Sequence, residues 1–398
     1  MLRVPNPRSK VLPLLFAGFA PLQAGIGSSV ILTSTMPPGG EGAASVALGV
    51  ALPGGLPSME INPALLAWEG SRTFSTIQYS WSHSDLLPSL QKLNPELNLS
   101  EDVRSFGLRY PIKNGTDFAI GYSWHHLELG TTRYSAFPGD LQILKSEESV
   151  HHAVVSARLA GMASIGLGWK WMDSRLAPDV RIDDSGTTLR GTATSSDWDL
   201  GLLIAPRWKI PRTPVRIGPS LGISWMNLVG DSIDYGDPKS KDQTAQLRRW
   251  GAAVTISSPD LVAVELFLDD EVDVSDRYAS AAARYQGWSL DLLGILRWAS
   301  ADLMDPDGMR SETQESYQIT FDLKQIYRLK GRFESGDWTS LPEETPNGYP
   351  LPRWKMLGAT ISPNVRISVT HSKIRGWSYE GAQSVRDGQK RIGWAISL

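Results

Sequence analysis

Residues 288–298 read WSLDLLGILRW, with a tryptophan at each end. In an extended strand the side chains alternate between two faces. Trp288, Leu290, Leu292, Gly294, Leu296 and Trp298 share one face, and Ser289, Asp291, Leu293, Ile295 and Arg297 share the other. The first carries no charge and the second carries two. Ten residues of strand span about 33 Å, which a tilt of about 40° projects to roughly 25 Å. That is about the height of the lipid-facing band of a transmembrane barrel, whose edges are marked by aromatic girdles. A helix would set Asp291 beside Trp288 and Ile295 and leave no clean apolar stripe. The stretch predicts one membrane-crossing strand with a tryptophan at each interface.

The pattern recurs along the chain. Phe118, Ile120, Tyr122 and Trp124 oppose Asp117, Ala119, Gly121, Ser123 and His125. Ala163, Ile165, Leu167, Trp169 and Trp171 oppose Ser164, Gly166, Gly168 and Lys170. Similar alternation runs through 197–204, 215–225 (ending on Trp225), 249–257 and 391–398, where Ile392, Trp394, Ile396 and Leu398 share a face. Further strands are expected near 72–82, 103–111, 148–160, 261–270, 277–286, 314–325, 327–335, 353–362 and 364–373. The apolar faces suit lipid, with Trp124, Trp169, Trp171, Trp225, Trp288, Trp298 and Trp394 at the membrane interfaces. The opposite faces hold Gly, Ser, Thr and charge, including Lys170, Arg216, Arg249, Arg297, Asp117, Asp199 and Asp291, which suits a wet or crowded lumen.

Connections alternate in length. Short ones fall at Lys113-Asn114-Gly115, Ala160-Gly161, Pro259-Asp260, Gln286-Gly287 and Pro363-Asn364, where Asn-Gly and its relatives make hairpin turns. Long polar ones fall near 83–102, 126–147, 174–196, 226–245, 300–312, 336–352 and 374–390. Short periplasmic turns alternating with long outer loops distinguish a membrane barrel from a soluble sandwich. The expected fold is all-β: a transmembrane antiparallel β-barrel of 14, at most 16, strands over residues 71–398, without an internal domain linker.

The 398 residues carry a net charge of −3, so no broad basic surface for nucleic acid is expected. There is no cysteine, which excludes thiol catalysis and Cys-ligated zinc, and there are 15 tryptophans. Arg3, Arg8 and Lys10 precede a short apolar run at 11–20, and Ala24 offers a cleavage position. Residues 1–24 are expected to be a secretory signal peptide, too short in its apolar core to span a membrane. The closing RIGWAISL resembles the final-strand signal of outer-membrane barrels, with Leu398 where an aromatic residue is usual.

Residues 25–70 are rich in Gly, Ala and Pro and do not alternate. Asn62 is placed to cap a short helix with Pro63 at its first position. Ala47-Leu48-Gly49, followed by Asn62-Pro63-Ala64 directly ahead of the strands, resembles the FadL/PorV-type outer-membrane proteins. The resemblance implies 14 strands and a plug or hatch formed by residues 25–70, with Asn62, Pro63 and Ala64 at its motif. It also implies a monomeric barrel in outer-membrane lipid with one of two roles. One is an accessory or attachment component of type IX-like protein secretion, partnered by secretion-machinery proteins, and this is the favoured expectation because no long apolar lumen stripe is evident. The other is a channel for hydrophobic small molecules such as fatty acids. An exported soluble β-rich surface protein is the third reading. The uncharged stretch 51–59 departs from the acidic one common in the family.

No cofactor and no enzymatic site are expected. His125-His126 and His151-His152 flank one long loop, but neighbours in a strand point to opposite faces, so one imidazole of each pair at most serves a given side. Asp269, Asp270, Glu271, Asp273 and Asp276 read as a solvated hairpin tip. His83 beside Ser82 and Asp85 is adjacency without catalytic geometry.

Overall fold

The computed structural model describes residues 49–397 apart from short stretches, the longest at 69–75, 86–98, 275–281, 337–353 and 377–387. The sites expected at 1–24 and 25–48 lie outside the described residues. Fourteen long strands form one antiparallel sheet that closes on itself. In chain order they are β1 (Thr76–Asp85), β2 (Leu99–Pro111), β3 (Asp117–Ser135), β4 (Leu141–Leu159), β5 (Ala163–Arg175), β6 (Thr192–Ile204) and β7 (Arg216–Met226). They continue with β8 (Leu247–Ser258), β9 (Val262–Asp273), β10 (Ala282–Leu292), β11 (Leu296–Met304), β12 (Arg310–Asp322), β13 (Arg366–Gly376) and β14 (Lys390–Ser397). Each pairs with its chain neighbour, and β1 pairs with β14 from Gln78↔Ser397 to Asp85↔Lys390. Closure leaves no sheet edge, the condition for strands to stand in hydrocarbon.

The large apolar faces point outward. Phe106, Phe118, Ile120, Val155, Ile165, Leu202, Leu221, Leu266, Ile319 and Val369 are all exposed, whereas the alternate residues Ser105, Ser123, Ser156, Asp199, Ser224, Ser316 and Thr370 are buried. This is a soluble protein turned inside out, and the apolar exterior suits lipid.

Residues 288–298 are not one strand. They form the β10–β11 hairpin: Trp288 pairs with Ser300, Leu290 with Trp298 and Leu292 with Leu296. Leu293 (φ 60°) and Gly294 (φ 65°) are its turn, closed by the Ile295 N–H to Leu292 C=O bond (3.0 Å) and by Asp291, which accepts from the Gly294 N–H (2.8 Å). The two tryptophans therefore do not mark opposite interfaces. They pack edge to face on the outside of neighbouring strands, with centroids 5.0 Å apart at 71°. The expected turn at Gln286-Gly287 lies inside β10. Positive φ costs a non-glycine residue about 1–2 kcal/mol, so Leu293→Asn is expected to stabilise the barrel by about 1 kcal/mol, read as a higher temperature for loss of the folded gel mobility. A lower temperature would show that the Leu293 side chain contributes more than its backbone strain removes.

Two of the sixteen expected strands are absent from the barrel. Residues 327–335 lie in helix α1 (Leu323–Ser335). Asp322 caps its start by accepting from the Gln325 N–H (3.0 Å), and Gly336 (φ 68°) ends it by donating to the Arg332 carbonyl (2.9 Å). Residues 353–362 contribute only a separate two-strand ribbon, Trp354–Met356 with Ala359–Ile361. Both belong to the connection from β12 to β13, whose two strand ends, Asp322 and Arg366, are at the short-turn end; the long connection expected at 336–352 lies outside the described residues from 337 on. The expected loop at 126–147 is largely strand, since β3 and β4 run 19 residues each and stay paired to Ser135↔Leu141. Asp269–Asp273 are strand residues of β9, not a hairpin tip; Asp276 lies outside the described residues.

Candidate functional site

The barrel is not empty. Residues 49–52 and 56–68 lie in its lumen, the latter as two 3₁₀ helices, Leu56–Glu60 and Pro63–Trp68. Val50, Leu52, Leu56, Met59, Leu65 and Asn62 are all essentially inaccessible to solvent. Proline at the start of the second helix loses no hydrogen bond, because that N–H has no intrahelical partner. Asn62 Oδ1 accepts from the Ala64 N–H (3.0 Å), and the Asn62 carbonyl accepts from the Leu65 N–H (2.9 Å). The Asn62 amide donates to the Val50 carbonyl (2.7 Å) and to the carbonyl of Leu202 on β6 (3.2 Å). One side chain thus caps the helix, folds the segment on itself and ties it to the wall. Ala64 touches the wall through its carbonyl, which accepts from Ser164 (2.8 Å) and Ser156 (3.3 Å).

Inward glycines make the close approach possible. A Cβ on Gly201 would stand 2.0 Å from Asn62 Oδ1, and one on Gly166, its direct partner across the β5–β6 ladder, 2.2 Å from the Pro63 carbonyl carbon. These glycines were visible on the non-lipid faces of the sequence; that they form a seat for Asn62 and Pro63 was not.

The β2–β6 side of the lumen is charged. Glu60 on the segment accepts from Ser123 and faces His152 Nδ1 at 2.9 Å. His152 Nε2 lies 3.3 Å from Asp199 Oδ2, which Lys170 approaches to 2.8 Å. Asp199 also accepts from the backbone N–H of Asn227 (2.9 Å), beyond the end of β7. A continuous polar chain therefore runs from the long-loop end, through the wall, to the segment. Lower on the wall, Asp117 pairs with Arg109 (2.9 Å) and Arg158. Arg109 donates to the Ala67 carbonyl (3.2 Å), Arg158 lies over the Trp68 ring (4.9 Å), and the Trp68 indole donates to Ser164 (2.7 Å). A third group pairs Glu101 with His125 (2.5 Å) and Arg391 (2.7 Å). Buried charges persist only when paired and hydrogen-bonded.

The β8–β11 side differs. Ala253, Phe267 and Ala301 are buried inward residues, linked through Gly287 by the ladder pairs Ala253↔Phe267, Phe267↔Gly287 and Gly287↔Ala301. With Leu203, Ala205 and Ala299 they pack on Val50, Leu52, Ile61 and Leu65 in one apolar cluster. Above Phe267, Asp269 accepts from the Val50 N–H (2.7 Å) and pairs with Arg249 (3.1 Å). An apolar inner wall behind the segment was not foreseen from the sequence, because its row is built across four strands.

Of the expected tryptophans, Trp169, Trp171 and Trp298 are exposed outside the barrel, and Trp124, Trp225, Trp288 and Trp394 are half-buried there. Trp394, Trp81, Arg104, Trp124, His151 and Trp171 follow one another directly across β14 and β1–β5, with Arg104 over the Trp124 ring (5.1 Å). The histidine pairs divide as alternation requires: His125 and His152 face in, His126 and His151 out. Of the expected inward charges, Lys170, Arg249, Asp117 and Asp199 are buried, Arg297 pairs with Glu265 and sits with Asp291 near the short-turn end, and Arg216 is exposed at that rim.

A closed sheet, an apolar outer face and buried, paired charges on the inner one decide the class. The chain is a transmembrane β-barrel of the bacterial outer-membrane type.

No family model and no curated protein matches the chain. Among solved structures it is similar to the Ralstonia pickettii toluene transporter TbuX (9% identity, TM-score 0.44, covering 90% of this chain and 97% of that one). It is similar to the monoaromatic hydrocarbon channel CymD (11%, 0.44, 90% and 96%) and to a Pseudomonas aeruginosa FadL homologue (10%, 0.40, 90% and 96%).

Proposed function

We propose that this barrel is an outer-membrane passage for hydrophobic small molecules, laid out on the FadL-type plan that its sequence resembles, with the lumen segment around Asn62-Pro63-Ala64 as its gate. The observation that carries this reading is the apolar inner row Ala253–Phe267–Gly287–Ala301 behind the segment. Most wide barrels line their lumen with polar groups. An apolar wall covered by the segment offers a path to an apolar solute once the segment shifts. The outward tryptophans, Trp124, Trp169, Trp171, Trp225, Trp288, Trp298 and Trp394, serve as interface anchors.

The test is uptake of a radiolabelled fatty acid, a small aromatic hydrocarbon and a sugar by cells whose outer membrane lacks other hydrophobic channels. Expression of the chain should raise uptake of one or both apolar solutes and not of the sugar. Phe267→Asp, which places a charge on the row, should abolish the gain. Equal uptake with and without the chain, or with Phe267→Asp, would sink the reading.

A further inference from the structure

Helix α1 follows directly on a lipid-facing strand. Tyr317, Ile319 and Phe321 of β12 are exposed outside the barrel, and the helix begins two residues later at Leu323. Gln325 donates to the carbonyl of Leu293 in the β10–β11 turn (2.9 Å), which holds the first helical turn at the barrel rim. The outward residues flanking that turn, Leu292 and Leu296, are exposed as well. The helix is capped at both ends and strongly amphipathic.

Its apolar arc is buried at the centre and exposed at both ends. Leu329 is buried, whereas Phe333, one turn further along the same arc, is 72% exposed and Ile326 is 38% exposed. Lys330 is exposed between them and reaches Glu334 at 3.6 Å. Within Leu323–Ser335, Lys324, Arg328, Lys330 and Arg332 stand against Glu334 alone; Arg332 is buried, which leaves three basic side chains with accessible surface. An amphipathic helix with a basic polar side lies in a membrane interface with its apolar side toward the acyl chains. Long basic side chains meanwhile reach the headgroups.

We infer that α1 is an interfacial anchor lying in the inner leaflet at the short-turn end of the barrel, with Ile326 and Phe333 among the acyl chains and Lys324, Arg328 and Lys330 toward anionic phospholipid headgroups. The occupant is lipid and not a protein because the exposed arc continues the lipid-facing surface of β12 and because its charge complements an anionic leaflet. Its 13 residues make a helix about 20 Å long.

The chain has no native cysteine, so Phe333→Cys and, separately, Ile326→Cys can each carry a single environment-sensitive fluorophore in the otherwise intact protein. Ser335→Cys on the polar side is the control. In vesicles of phosphatidylethanolamine and phosphatidylglycerol, labels at 333 and 326 should emit to the blue. They should be quenched at least twofold more by acyl-chain-brominated lipid than by aqueous iodide, and the label at 335 should show the reverse. Exchanging phosphatidylglycerol for phosphatidylcholine should weaken quenching by brominated lipid. Quenching by iodide alone would place the arc in water, and protection from both quenchers would place it against a second copy or a soluble protein; either overturns the inference.

Discussion

Deleting residues 49–68 is expected to leave an assembled barrel whose single-channel conductance in planar bilayers rises by about an order of magnitude, as an interior of this strand number becomes a water-filled pore. Assembly should survive because the ladder bonds that close β1 on β14 do not involve the segment. The wall charges also keep partners of their own: Asp117 with Arg109 and Arg158, Glu101 with His125 and Arg391, Asp199 with Lys170. Water entering the lumen can hydrate the rest. A heat-dependent change in gel mobility establishes that the barrel has formed. Unchanged conductance in a barrel that passes this check would show that the segment does not obstruct the lumen.

The second large effect is expected at Gly166. A Val side chain there meets the backbone of Pro63 and Ala64, with its Cβ 2.2–2.5 Å from three main-chain atoms. Those atoms have no rotamer with which to retreat, so the segment must leave its seat at a cost of about 3 kcal/mol. That corresponds to about a hundredfold rise in the population of the unseated state. The reporter is Ser58→Cys, a near-isosteric change at a buried position of the segment. Its labelling by a membrane-impermeant thiol reagent should accelerate by about the same factor. Gly218→Ala, where an added Cβ meets nothing closer than 3.4 Å, should leave labelling unchanged. Asn62→Ala, which removes the cap and the bond to Leu202, should fall between them at about 1–2 kcal/mol. Equal labelling in Gly166→Val and the parent would mean that the segment is not held by close packing on this wall.

Alternation along single strands was legible in the sequence. It identified which residues face lipid and which face the lumen, split both histidine pairs correctly, and led to a closed antiparallel barrel. Asn62-Pro63-Ala64 was legible as a capped helix start. The tertiary structure decided where strands end and what the inner face meets. Residues 288–298 show why. In the β10–β11 hairpin, partners differ by an even number of residues, as in Leu290↔Trp298, so the period-two pattern passes through the turn without a break. The turn residue Leu293 sits at positive φ, where a sequence reader looks for Asn or Gly. Residues 327–335 misled in the opposite way, being short enough to alternate as a strand while capped by Asp322 and Gly336 as a helix. Side-chain parity is a local property of the extended backbone, so sequence alone determined it. The glycine seat under Asn62, the charged chain Glu60–His152–Asp199 and the apolar cluster through Phe267 join residues as far apart in the chain as Val50 and Ala301, and no local periodicity encodes which strand lies beside which across the lumen; only barrel closure brought them together.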